Sequence, residues 1–433
     1  GTTKVVVFIA KKNENGEIEI IGRGKTVSTG VINGDVTVIT STAQSIRQAV
    51  EQAERESGYR VEEVFVGVAG YNIQTQRHRS TRIIEEDNHI ITNEDVQDMI
   101  NELYNINLPH GKQIVDIVPQ NYSVDGTTDI LDPVGRIGKS VECNYNLISA
   151  DVNNINNITR SVEMAGYKVK NLILQPIASS EAAIDDMEKN GGVCLVDIGG
   201  GTTDVAIYHE GILRFTSVIQ LAGNAITNDI KEGCNILKPQ AEALKIKYGS
   251  CLPDSKEEND IISIPGFRGQ DNKQIQVITL SRIINERVKM ILELVHYDIK
   301  TSGYEQKLIA GIVLTGGGAM IKNIVNLTEY LTGIPTRIGE SDSNIAKISD
   351  QNSDIRHPMY ATGVGLVIKG FEYYEENDCF VEEEIKETEN QKEESEPKEE
   401  KHKKKNTKEN NKEKGLLSKI RKVLDGILSN GVQ

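Results

Sequence analysis

The residues best equipped for chemistry lie in the segment 193–208. An apolar run, Val193 to Val196, enters Asp197, Ile198, Gly199, Gly200, Gly201, Thr202, Thr203 and Asp204. A second apolar run, Val205 to Tyr208, leaves it. The pattern predicts strand, Gly-rich turn, strand. It is not a P-loop, which continues into a helix and ends in Gly-Lys-Ser/Thr. Consecutive glycines let the backbone approach a ligand closely, and turned N–H groups form a concavity suited to an anion. The carboxylates of Asp197 and Asp204 could hold a divalent cation through water, in the manner of magnesium beside phosphates.

The amino terminus repeats the theme. Gly1, Thr2, Thr3 and Lys4 precede the apolar run Val5 to Ala10, as Gly201, Thr202, Thr203 and Asp204 precede Val205 onward. A unit recurring about 200 residues apart predicts internal duplication. Two similar lobes would then grip a polyphosphate between two hairpins.

The elements that must position these turns can be read in outline. Ile312 to Thr315 is a strand that enters Gly316, Gly317 and Gly318, a turn against which a flat base could lie. Helical spacing follows it, at Ile321, Ile324, Val325 and Leu327. Leu172 to Ile184 reads as a strand ending at Gln175-Pro176 and then a helix of small residues. Tyr360 to Leu366 has the same small-residue character, so the two segments suit a hinge where helices cross closely. Between the repeats, Tyr59 to Val68 reads as extended. A helix over Glu94 to Tyr104, capped near Thr92 or Asn93, comes next, and then strand-like Ile114 to Val118 and Tyr122 to Val124. A helix over Leu280 to Ile299 places Ile284, Val288, Ile291, Leu292 and Val295 on one face. Arg282, Asn285, Arg287 and Lys289 are its polar remainder.

Composition narrows the possibilities. The net charge of 49 − 64 = −15 argues against nucleic acid as the main partner, because phosphate contacts need clustered Lys and Arg. No run approaches the roughly 20 apolar residues of a membrane span, and no secretory signal is visible. Five scattered cysteines, with no zinc-type spacing, suggest reduced thiols in a cytosolic protein.

The charge is uneven. Residues 372–400 hold 14 acidic and 3 basic residues, and 401–414 reverse this to 7 basic and 2 acidic. Such a segment cannot bury enough apolar surface to order itself, so 372–414 is expected to be a disordered linker. Apolar residues return after it. At ~100° per residue, Leu416, Leu417, Ile420, Val423, Leu424, Ile427 and Leu428 fall within an arc of about 140°, with Lys419 and Lys422 off that arc. Over 13 residues the helix is about 20 Å long, too short to span, so it is expected to lie in the interface of an anionic membrane.

Five pieces in this order resemble the actin/Hsp70/sugar-kinase ATPase superfamily. They are the two hairpins, the two small-residue segments and the third Gly cluster. Within that superfamily the chain is similar to the FtsA family of bacterial division proteins on three grounds: the α+β segment 59–148, the stretch Leu221 to Ile230 with Ala241 to Gly249, and the charged linker ending in an amphipathic helix. The resemblance implies an α/β, two-lobed actin-like fold of duplicated ribonuclease-H-like domains. Subdomain 1A would comprise 1–58, 149–190 and 350–371, with 1C at 59–148. Subdomain 2A would comprise 191–230 and 301–349, with 2B at 231–300 and a membrane-targeting helix at 415–430.

It further implies ATP and Mg2+ as ligands, with slow ATPase activity at most. Gly1 to Lys4, Gly199 to Thr203, Gly223, Glu242, Lys245 and Gly316 to Gly318 would contact nucleotide, and Asp197 and Asp204 would serve magnesium. Gln175 would stand near the attacking water. The implied partners are the FtsZ tail on subdomain 2B, through Arg282, Asn285, Arg287 and Lys289, further copies in an actin-like polymer, later division proteins, and lipid at the inner face of the membrane at the division site. The alternative within the superfamily is a sugar or acid kinase. The family motif opens with a strand and an Asp before Gly-Thr-Thr-Lys, whereas this sequence starts at Gly1. A trimmed amino terminus, lacking one sheet strand and one carboxylate, is therefore expected.

Overall fold

In the computed structural model, residues 1–375 are described, apart from 14, 71–72, 85–87, 254–259, 267–270 and 342–353. The charged linker beyond 375 and the amphipathic segment 415–430 lie outside the described residues.

The first lobe opens with an antiparallel pair, β1 (Lys4–Lys12) and β2 (Ile18–Val27). A small hairpin, β3 (Val31–Ile32) and β4 (Asp35–Val36), leads into α1 (Ile39–Ser57). Helix α1 packs on β2 so closely that a Cβ on Gly24 would lie 1.7 Å from the Ala49 carbonyl oxygen. β5 (Glu63–Val68) follows.

The insertion contains β6 (Gln74–Ile83), α2 (Asn93–Tyr104), β7 (Lys112–Val124), β8 (Thr127–Ile130) and β9 (Ser140–Asp151), with sheet order β6-β9-β7-β8. Thr92 caps α2 through a capping box with Asp95, where the sequence placed the cap. Two expectations change here. The segment taken as the start of the insertion, from Tyr59, carries β5, which pairs parallel with β10 of the first lobe and not with this sheet. Its apolar residues complete a lobe core that only the tertiary fold brings to it. The two strands expected at 114–118 and 122–124 are one strand, continuous through Pro119 by irregularities at Ile114/Asp116 and Pro119/Asn121.

The first lobe resumes with α3 (Val152–Ala165), β10 (Lys168–Leu174), α4 (Gln175–Ala183) and α5 (Asp186–Gly191). The second lobe is built on β11 (Val193–Ile198), β12 (Thr203–His209) and β13 (Ile212–Ile219). Next come α6 (Gly223–Cys234), α7 (Lys238–Tyr248), β14 (Ile261–Ile264), β15 (Lys273–Gln276) and the long α8 (Val277–Ser302). β16 (Gly311–Thr315), α9 (Ile324–Thr332) and β17 (Thr336–Ile338) complete it, and a helix, α10, covers 361–375.

The second lobe has a five-stranded sheet of order β13-β12-β11-β16-β17, in which every residue of β11 is buried. An unbroken apolar run is what a strand covered on both faces requires. The first lobe has the matching hairpin, β1–β2, and the matching parallel pair, β5–β10, but as two separate two-stranded sheets. Among the described residues no strand stands where β11 stands in the second lobe. The two small-residue helices expected to cross closely do so: a Cβ on Gly365 of α10 would lie 1.6 Å from the Ala178 carbonyl oxygen of α4. Only glycine allows that crossing.

The candidate nucleotide cleft

The Gly-rich turn joins β11 to β12 with Ile198 opposite Thr203 and Asp197 opposite Asp204. Gly199 N–H donates to the Thr202 carbonyl at 2.9 Å, which closes the turn. The N–H groups of Gly200 and Gly201 have no acceptor among the described residues. Helix α6 holds the turn from behind: Gly223 N–H donates to Gly199 O at 3.1 Å and Asn224 N–H to Gly200 O at 2.7 Å.

The two hairpins face each other. A Cβ on Gly200 would stand 2.4 Å from Thr3 Cγ2, and one on Gly201 would stand 2.5 Å from Thr2 Oγ1. Thr2 Oγ1 also accepts from Gly34 N–H at 3.1 Å. Gly1 is exposed at the end of this segment, and Lys4 begins β1. Burial, with Lys25 as a second cause, lowers the Lys4 ammonium to about 8, against the pull of Asp197.

Asp197 and Asp204 are both buried. Asp197 Oδ2 accepts from Ser179 Oγ at 2.6 Å and from Thr362 Oγ1 at 3.1 Å, and those two hydroxyls lie 3.0 Å apart. Ser179 is on α4 and Thr362 on α10, so one carboxylate ties both hinge helices to the second lobe. Burial raises its pKa, opposed by those hydrogen bonds. Asp204 is raised well above the ordinary value, by burial first and by the neighbouring Asp197 second. Its Oδ1 is buried with no hydrogen-bond partner among the described residues. An orphaned carboxylate oxygen beside a second acid suits a cation. Among the described residues no cluster of three or more His, Cys, Asp or Glu exists to hold a metal. A cation here would rest on two carboxylates, water and ligand oxygens, a donor set that suits Mg2+.

The remaining expected residues fall into three groups. Glu242 and Lys245 meet at the start of α6, whose Gly223 N–H bonds to Gly199 of the turn. Lys245 Nζ donates to Glu242 Oε2 at 2.8 Å, Thr227 Oγ1 at 2.8 Å and Gly223 O at 3.0 Å, and Thr227 Oγ1 donates to Glu242. Gly316, at φ +85°, packs so that a Cβ would lie 2.3 Å from Asp197 Oδ1, and a Cβ on Gly318 would lie 2.3 Å from Ile198 Cγ2. Gly317 has open space around its Cα. Gln175 begins α4 half-buried, with its amide donating to Gly67 O at 3.4 Å.

The four polar residues of α8 lie apart from this site and are not equally free. Arg287 makes a two-pronged ion pair with Asp229, at 2.5 and 3.0 Å, and Asn285 donates to Cys251 O at 2.6 Å. Arg282 is exposed and Lys289 half-buried. Thus α6 presents Asp229 to the same face and neutralises Arg287. Sequence reasoning also missed the hydroxyls of Ser179, Thr362 and Thr227. The first two sit in the small-residue segments read as a hinge, and their spacing alone gives no sign that both converge on Asp197.

Comparison with known proteins agrees with this architecture. The model of the family "Cell division protein FtsA" matches residues 194–365, and that of the "SHS2 domain inserted in FTSA" matches 70–149, which excludes β5. The FtsA of Pseudomonas aeruginosa is 32% identical over 372 residues, covering 86% of this chain and 88% of that protein. The FtsA of Escherichia coli K12 is 31% identical, covering 89% and 92%. The FtsA of Bacillus subtilis is 33% identical, covering 85% and 81%. Among solved structures, a PilM-PilN type IV pilus biogenesis complex matches with a TM-score of 0.62 at 15% identity, over 86% of this chain and 96% of that one. MreB5 of Spiroplasma citri bound to ADP matches with a TM-score of 0.51 at 16% identity, over 87% and 96%. The structural matches give the actin-like two-lobed fold, and the similarity of sequence over nearly the whole described chain gives the rest: this protein belongs to the FtsA family of actin-like cell division proteins.

Proposed function

We propose that the chain binds ATP with Mg2+ between its lobes, assembles with further copies, and tethers FtsZ filaments to the inner face of the membrane at the division site. The observation that carries the nucleotide part is the meeting of Thr2 and Thr3 with Gly200 and Gly201, two glycines whose N–H groups are unclaimed among the described residues. Unclaimed backbone donors beside two threonine hydroxyls suit phosphate oxygens. The residues that would hold Mg2+ are Asp197 and Asp204, and the ion would offset phosphate charge there. Lys245 and Glu242 would stand at the ribose or base, held in place by Thr227, while Gly316 to Gly318 would flank the adenosine. Gln175 is the residue proposed to address water. Hydrolysis is expected to be slow, because a tether uses nucleotide mainly as a structural ligand.

The tethering part rests on the sequence. The segment 416–428 has an apolar arc flanked by Lys419 and Lys422, and the proposed FtsZ contact is the polar side of α8, with Arg282 and Lys289 carrying more of the positive field than Arg287. No helix among the described residues is long and apolar enough to cross a membrane, so a short interfacial helix would supply attachment. A single such helix binds weakly, and polymerisation multiplies it. The kinase alternative lacks an assignable catalytic acid and substrate contacts, and it has no counterpart in the FtsA relatives. The test is co-sedimentation of FtsZ with anionic vesicles in the presence of ATP. FtsZ should pellet only when the full chain is added, and Val423→Glu should abolish it while ATP binding persists. FtsZ pelleting equally with the variant would refute the anchor.

A further inference from the structure

One edge of the insertion's sheet is long, straight and open. β6 is the outer strand of the order β6-β9-β7-β8, and it pairs with β9 over its whole length, from Gln74 opposite Ser149 to Ile83 opposite Ser140, without a register shift. The strand at the other edge, β8, has only 4 residues. Folded proteins blunt exposed edges with proline, bulges or short strands. β6 has 10 residues and no proline, glycine or bulge. Its start lies beside β13, so the open stretch is 77–83. Alternate N–H and C=O groups there face away from β9, and none of them has a hydrogen-bond partner among the described residues.

The side chains select what can pair here. Strand alternation puts Arg77, Arg79, Thr81 and Ile83 on one face, and all four are exposed, Ile83 at 75%. His78, Ser80 and Arg82 point the other way and are half-buried, with Arg82 joined to Asp98 of α2 at 3.0 Å. On the exposed face Arg79 pairs with Glu142 of β9, while Arg77 has no ion-pair partner among the described residues. Over Gln74–Ile83 the strand carries Arg77, Arg79 and Arg82 and no acid. A second copy of β6 laid along this edge would set arginine near arginine, which is unfavourable. An apolar strand would leave Arg77 unanswered. An acidic strand gains both the main-chain hydrogen bonds and a partner for Arg77.

We propose that the edge of β6 at 77–83 is a docking site for an extended acidic peptide of another protein, which adds to the sheet as a further strand beside β6. Main-chain hydrogen bonds supply the affinity, and an acid opposite Arg77 with an apolar residue beside Ile83 supplies the register. The site goes beyond nucleotide, membrane and FtsZ binding and needs none of them.

The test is amide hydrogen exchange of the full chain at low salt, without nucleotide or lipid, in the presence of two capped synthetic peptides, one of alternating Glu and Val and one of alternating Lys and Val. The acidic peptide should slow the outward amides of 77–83 at least tenfold, and the effect should fade as salt rises. The basic peptide should leave them unchanged. Arg77→Gln should weaken the protection, and Arg77→Glu should transfer it to the basic peptide, while exchange in the rest of the sheet reports that both variants stay folded. An acidic peptide that protects nothing at 77–83, equal protection by both peptides, or protection indifferent to Arg77→Glu would overturn the proposal. Slow exchange of these amides before any peptide is added would overturn it too: if it disappears on dilution the edge belongs to a second copy, and if it persists the edge is covered from within the chain.

Discussion

Replacing Asp204 by asparagine should stabilise the protein in the absence of metal, by an amount that grows with pH. Asp204 and Asp197 face each other across β11 and β12, both buried, and Asp204 is held well above its ordinary 3.8 by burial and by that neighbour. A carboxyl whose folded pKa is raised keeps its proton in the folded state over a range where the unfolded chain has lost it. Stability then falls as pH rises from about 4 through the folded value, at up to about 1.4 kcal/mol per pH unit for one group. Asparagine carries no charge, so this loss is removed, and its amide can donate toward Asp197. In EDTA the thermal midpoint of Asp204→Asn should exceed that of wild type near neutrality, and the gap should shrink on acidification toward pH 4. With Mg2+ and ATP the order should narrow or reverse, since only wild type gains the cation. A gap independent of pH, or a variant less stable than wild type in EDTA at every pH, would refute the assignment of strain to this pair.

Gly200→Val would drive its side chain into Thr3, so ATP affinity should fall beyond calorimetric detection while circular dichroism stays native. Unchanged affinity in a folded variant would remove the turn from the site. Gly365→Ala meets the backbone of Ala178 at a distance no rotamer relieves, so the midpoint should drop by the equivalent of about 3 kcal/mol, the upper end of overpacking costs. A midpoint within a degree of wild type would show that the hinge helices have room. For the partner, Asp229→Asn releases Arg287 and should tighten binding of an acidic FtsZ tail peptide a few-fold, whereas Arg287→Glu should weaken it. Both effects should fade with salt, and affinity indifferent to both substitutions would move the peptide off this face.

The sequence carried the hairpins, because glycine triplets between apolar runs leave the chain few alternatives, and the repeat of Gly-Thr-Thr announced the second lobe. It carried α2 through the Thr92–Asp95 cap. It misplaced β5, since Glu63 to Val68 and the strands of the insertion have the same β-forming character, and only pairing with β10 separates them. The break expected between Val118 and Tyr122 is absorbed by an irregularity at Pro119/Asn121. The glycines and acids of the two turns stood out by residue type, and the structure brings them together. The hydroxyls of Ser179, Thr362 and Thr227 did not stand out, because serine and threonine are common and their meaning comes from what they touch. The pairing of Arg287 with Asp229 was hidden for the same reason, since Asp229 is 58 residues away in sequence.

Asp197 occupies two positions at once. It lies in the paired-acid site with Asp204, and it accepts the hydroxyls of Ser179 on α4 and Thr362 on α10, where Gly365 brings those helices into backbone contact. A change in charge beside Asp204 is therefore felt by the one side chain that fastens both hinge helices to β11. Proton, cation or neither at that pair must alter how strongly Asp197 accepts from the two hydroxyls, since a protonated carboxyl gives up part of its accepting capacity. The same lobe is gripped at its far edge by the insertion: Arg214 donates to Gln120 O at 2.9 Å, Gln120 to Leu213 O at 2.9 Å, and Asn146 to Arg214 O at 3.0 Å. In the five-stranded sheet between them, β11 and β16 are buried at every residue. A shift of β11 against α4 and α10 that reached β13 would leave the insertion either to follow through these three hydrogen bonds or to break them.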